Sequence, residues 1–196
     1  MSNITPLENE NMTAPASAKT NTATWTVDAS HAEVGFSVRH LMISTVRGRF
    51  GGVSGTVILD DRNPSASKAD VTIDVSTIDT RQEQRDGHLR SPDFFDADNH
   101  PTMRFVSTRV EGDITSEFKL IGNLTIRGVT REIALDVTAE GRGRDPWGND
   151  RAGFSAKGKI NRGEFGLNWN QVLEAGGVTV SDEVKLSIDA ELVRQA

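Results

Sequence analysis

Four histidines and one acidic run are the residues of this chain whose types could do chemistry. His31, His40, His88 and His100 could each ligate a metal or move a proton. None stands in an HxH, HxxxH or HExxH pattern, and His100 precedes a proline in a turn. The chain has no cysteine, which excludes a thiolate metal site, a disulfide and a cysteine nucleophile. Asp93, Asp96 and Asp98, with Glu83 upstream, offer carboxylates that a hydrolase could pair as acid and base. Acids grouped in a turn read more simply as solvated or capping groups. No GxSxG elbow and no phosphate-cradling glycine loop occurs. The expectation is a non-enzyme that needs neither a metal nor a cofactor. Arg39, His40 and Arg90 are instead candidates to meet the polar head of a bound amphiphile near a mouth. Arg47 and Arg49 read as solvent-facing.

The element that must organise these residues runs from His88 to Phe105, HLRSPDFFDADNHPTMRF. It interrupts a chain that otherwise reads as strand after strand. The spacing predicts a polar helix over Arg81 to Arg90, with Thr80 as N-cap, Glu83 completing a capping box and Leu89 as its main apolar contact. Ser91-Pro92 turns the chain, and Phe94 and Phe95 then sit side by side among the acids. Two adjacent aromatic rings are costly to leave in water, so this flap should dock on an apolar surface.

The remaining segments supply that surface. Val34, Phe36 and Val38 alternate with Glu33, Ser37 and Arg39 at the period of a half-buried strand. The same alternation carries Val46 to Phe50, Val53 to Leu59, Val71 to Val75, Met103 to Phe105 and Phe118 to Ile126. It continues through Ile133 to Val137, Phe154 to Ile160 and Val184 to Leu192. Gly51-Gly52 marks a sharp break, and Gly141 to Asn149 reads as a loop. Short connections between long strands imply an all-β antiparallel fold, closed either as a sandwich or as an eight-stranded barrel with a short helix and flap between strands. A barrel removes the edges. Gly48, Gly55, Gly122, Ala156, Gly158 and Ala190 fall at inward positions, and so many small residues are expected to leave the bore hollow.

Composition narrows the class. With 22 basic and 28 acidic residues the net charge is −6, which disfavours nucleic acid as a partner. No run of ~18 apolar residues suggests a transmembrane helix. Residues 1–24 are rich in Thr, Asn, Ala and Ser and read as a disordered extension ahead of one domain, 25–196. They lack a basic segment followed by an apolar one, so a cytoplasmic location is expected.

Four segments in order, WTVDASHAEVGFSVRHL, the flap, GNLTIRGVTRE and GFSAKGKINRGEFGLNWN, resemble the YceI-like family. The resemblance covers about Trp25 to Leu192. It implies a lipocalin-like barrel whose pore holds a polyisoprenoid or another long amphiphile, and it is compatible with a homodimer. The family carries no agreed catalytic residues, so none is transferred. On pattern, the candidates to line the pore are Phe36, Val38, Phe50, Phe94, Phe95, Phe105, Phe118, Phe154 and Trp169. Two alternatives to a lipid carrier or store stay open. One is an enzyme on a small lipid-like substrate, using His31, His40 or the acidic run. The other is an interaction module with a filled core.

Overall fold

The computed structural model describes residues 22–172 and 178–196. Ten strands form one antiparallel sheet: β1 (Thr22–His40), β2 (Ser44–Phe50), β3 (Val53–Asp60), β4 (Lys68–Asp74), β5 (Ile78–Asp79), β6 (Thr102–Gly112), β7 (Glu117–Ile126), β8 (Val129–Arg144), β9 (Asp150–Asn161) and β10 (Val180–Arg194). Pairing of β10 with β1 closes the sheet on itself. The first residues of the expected extension, 1–21, lie outside the described part, while Thr22 to Thr24 already pair with β3.

Ten strands make an eight-membered wall because two members are broken. β3 runs along the start of β1, with Thr22 opposite Asp60, and β2 along its end, with His40 opposite Ser44. Together β2 and β3 form one ribbon interrupted at Gly51-Gly52. β4 and β5 flank them in the same way, interrupted by a 3-10 turn at Val75–Thr77. The two breaks lie side by side. Gly52 donates its N–H to the Thr77 hydroxyl at 3.1 Å, and Asp74 donates its N–H to the Gly52 carbonyl at 2.8 Å. A Cβ on Gly52 would lie 2.8 Å from side-chain atoms of both Asp74 and Thr77, so only glycine permits this approach. The expected eight-stranded lipocalin-like barrel is the fold.

Alternation puts the apolar residues inside. Along β10, Val184, Leu186, Ile188, Ala190 and Leu192 face the interior while Lys185, Ser187 and Asp189 are exposed. The β7–β8 connection is tighter than the sequence suggests, with Arg127 and Gly128 both at positive φ (50° and 75°). Such a two-residue turn matches the twist of the strands it joins. The stretch Gly141 to Asn149, expected as a loop, continues β8 as far as Arg144 and turns only within Asp145 to Asn149.

Helix α1 (Glu83–Arg90) starts later than its spacing predicts. Gln82, not Thr80, is the N-cap, and its side chain accepts the Arg85 N–H. Thr80 has another partner. Its N–H and hydroxyl both donate to the buried Asp86 carboxylate, while Arg85 donates to the Thr80 hydroxyl and carbonyl, each at 2.7 Å. Eight residues make a marginal helix in water; this network holds it to the barrel.

Candidate functional site

The bore of the barrel is not filled. A cavity of ≈ 270 Å³ runs through it, just under the ~300–1,000 Å³ usual for small-molecule sites. Its wall is built from the inward side chains of the strands. Many of these, among them Val71, Leu120, Ile133 and Leu186, remain only partly covered although they pack on the core. All four border the cavity.

The glycines are not the reason it is hollow. A Cβ on Gly48 would sit 2.4 Å from the Phe36 ring, on Gly122 2.6 Å from the Phe105 ring, and on Gly158 2.7 Å from Leu135. On Gly55 it would sit 2.3 Å from the Asp70 carbonyl oxygen. A neighbouring ring, side chain or backbone already occupies each space. Of the six small residues, only Ala156 and Ala190 border the cavity. An eight-membered ring is at the size where side chains either just fill the interior or leave room for one small ligand, and here they leave room.

The two ends differ. At one end, β6 and β7 are joined by a turn whose Ile114 is fully buried and borders the cavity, and Trp25 is buried in the same region. At the other end lie α1, the flap and the 3-10 turn Arg162–Phe165. The flap lowers Leu89, Phe94 and Phe95 onto the cavity. Phe95 meets Phe50 edge to face at 5.6 Å, and Phe94 leans on Trp169 at 5.3 Å. Such pairs add about 0.5–1.5 kcal/mol beyond their burial. Arg127 clamps the flap by donating to the Phe94 carbonyl at 2.8 Å.

Eight of the nine pore candidates, Phe36, Val38, Phe50, Phe94, Phe95, Phe105, Phe118 and Phe154, border the cavity. Trp169 does not. It stands behind Phe94, with the His88 ring edge-on at 4.8 Å, so it backs the lid. The head-group candidates are placed away from the cavity wall. Arg90 donates to the Ser76 and Ile78 carbonyls at 3.1 and 3.3 Å, latching α1 to the wall. Arg39 is exposed and donates to the Met42 carbonyl and the Thr45 hydroxyl, bracing the turn after β1. His40 pairs along the strands with Ser44 and Val180. His31, His88, His100, Asp93, Asp96 and Asp98 also stand off the wall.

Arg162 is the buried charged wall residue that sequence reasoning missed. It is 5% exposed and borders the cavity. Its guanidinium donates to the carbonyls of Leu167 (2.7 Å), Trp169 (2.8 Å), Ser181 (3.0 Å) and Val180 (3.4 Å), and to the Asp182 carboxylate (3.0 Å). It thus ties the end of β9 to the start of β10. The only hint in the sequence is an arginine directly after an alternating strand and before a glycine.

Polar residues also cluster outside the wall, where β1 bulges between Val27 and Ala32. Asp28, His31 and Glu191 bring their ligand atoms within 4.8 Å of one another. Arg151 already bonds Asp28, Glu191 and Asp145, so this is an ion-pair network. The Ser30 hydroxyl, then Arg151 and His31, hold the Asp28 carboxyl well below the usual range. Burial pushes the Asp145 carboxyl up. Hydrogen bonds from Asn149, Arg151 and the Trp147 N–H outweigh it and bring the pKa from an ordinary 3.8 down to about 2. Asp145 therefore stabilises the fold above about pH 4, and that contribution fades as pH falls to about 2. Asp145→Asn is expected to flatten the loss of stability across this interval. Urea midpoints measured through it check this, and a slope as steep as the parent's would contradict it.

A closed antiparallel barrel with an apolar bore and an aromatic lid defines a lipocalin-like barrel. More particularly, the chain belongs to the YceI-like family, whose domain model matches residues 25–192. It is 42% identical over 170 residues to protein YceI of Salmonella newport, covering 86% of this chain and 84% of that protein. Among solved structures, a YceI protein of Campylobacter jejuni is 34% identical with a TM-score of 0.68, over 81% of this chain and 90% of that one. A polyisoprenoid-binding domain from Saccharophagus degradans shares the fold at 16% identity, with a TM-score of 0.62 over 88% and 99%.

Proposed function

We propose that the protein binds a long-chain apolar or amphiphilic molecule, a polyisoprenoid or fatty-acid-like chain, inside the barrel, and carries or stores it. The observation that carries this reading is the lidded cavity of ≈ 270 Å³ with a wall of aliphatic and aromatic carbon. Each methylene buried there contributes ~0.8 kcal/mol, so a tail alone can bind tightly. The polyisoprenoid-binding domain of the same fold supports this ligand class. The reading is non-enzymatic, because the histidines and the acidic run do not converge on the wall.

The test has two parts. Purified protein is denatured and its extract examined by mass spectrometry for a stoichiometric apolar molecule. Delipidated protein is then titrated with a fluorescent long-chain probe. One bound chain per barrel is expected. Empty extracts together with no uptake of the probe would refute the proposal.

A further inference from the structure

Within the reading just given, we propose that the Arg162 end of the cavity receives an anionic oxygen head group, a carboxylate or a phosphate. The tail then runs toward the end closed by Ile114. Among the described residues, Arg162 is the only buried charged side chain on the cavity wall. Its five N–H groups all have acceptors, so hydrogen bonding alone does not call for a ligand. Its charge does.

A guanidinium stays protonated whatever its surroundings. Four of its acceptors are neutral carbonyls, and the single carboxylate facing it, Asp182, has a side chain 66% exposed to water. Water screens that partner, whereas the cavity side holds only carbon, where a charge acts over a longer distance. Glu33 and Asp189 border the cavity, but they do not neutralise it. Glu33 bonds Arg49 on the outer face, and Asp189 is exposed.

One of the Arg162 hydrogen bonds is long. Arg162 Nη2 reaches the Val180 carbonyl at 3.4 Å, beyond the usual N–H···O length. Val180 itself borders the cavity. A charged oxygen entering beside it would be a stronger acceptor than that carbonyl. At the Ile114 end Lys68 also borders the cavity, but it is exposed to water, which screens its charge. The buried charge stands at the Arg162 end alone among the described residues, and that gives the ligand a direction.

The experiment uses the delipidated full chain and four probes that share one hexadecyl tail: heptadecanoate, hexadecyl phosphate, hexadecanol and hexadecyltrimethylammonium. Each competes with a fluorescent apolar probe below its micelle concentration. Both anions are expected to bind about ten- to a hundredfold more tightly than the alcohol, with the ammonium weakest. The stronger anion identifies carboxylate or phosphate as the preferred head. Equal affinity for all four heads would overturn the anion site and leave the apolar-tail reading standing. Failure of all four to bind would overturn that reading itself.

Because replacing Arg162 endangers the fold, the second variant is Asp182→Asn, at an exposed position. Removing the countercharge should widen the preference for anions over the alcohol several-fold. An arginine with a merely structural role would leave that ratio unchanged, and an unchanged ratio would count against the site.

Discussion

Replacing Ala156 and Ala190 together by phenylalanine is expected to weaken binding of a long-chain ligand by about a hundredfold or more. Both alanines border the cavity, on the adjacent strands β9 and β10. The new rings would enter a space of ≈ 270 Å³ that a tail otherwise fills. Excluding three or four methylenes removes ~2.4–3.2 kcal/mol, which is about a hundredfold in affinity. Added bulk in a packed core costs about 1–3 kcal/mol. Here it fills a void, so the change in stability should stay at or below the low end. Probe titration and urea unfolding on the same preparation separate the two effects. Undiminished affinity in a folded double variant would show that the ligand binds elsewhere.

Arg162→Met is expected to cost about 3–5 kcal/mol of stability, the scale seen when one partner of a buried charged network is removed. Methionine occupies similar space but donates nothing. The carbonyls of Leu167, Trp169 and Ser181 would lose their donor, and buried unpaired carbonyls are costly. Asp182→Asn, at the exposed end of the same network, should change stability by no more than ~1 kcal/mol. Denaturant unfolding of both variants is the measurement. A methionine variant as stable as the parent would mean that Arg162 does not hold the β9–β10 segment.

These two residue sets differ in how far they could be read beforehand. Ala156 and Ala190 stand out in an alternating pattern, because each inward position along β9 and β10 can be counted. Their role, however, was attributed to smallness shared with four glycines, and those glycines turn out to be overlain by Phe36, Phe105, Leu135 or backbone. Which neighbour covers a glycine depends on register between strands, and register is set by pairing across the sheet. Arg162 was invisible for a related reason. Its acceptors lie 5 to 20 positions away, and nothing local marks an arginine as buried.

The flap shows the same division. Its existence, its two rings and their need for an apolar seat were legible, since adjacent phenylalanines among acids have few places to go. The helix start was misread because Thr80 has a capping residue's chemistry, yet its hydroxyl serves Asp86 inside the helix. Trp169 was assigned to the pore on its aromaticity, and packing put it behind Phe94.

The sequence by itself determined an all-β antiparallel fold with one wet and one dry face to every strand, a flap that needs an apolar seat, and the residue types that line the interior; the barrel came from its resemblance to a family. Side-chain periodicity is a local property, so the chain displays it without being folded. Only the tertiary structure decided that the bore stays open, where the lid closes, and that a buried cation stands at the lid end. Those depend on the closure of eight members into a ring and on contacts between distant segments, which no local pattern encodes.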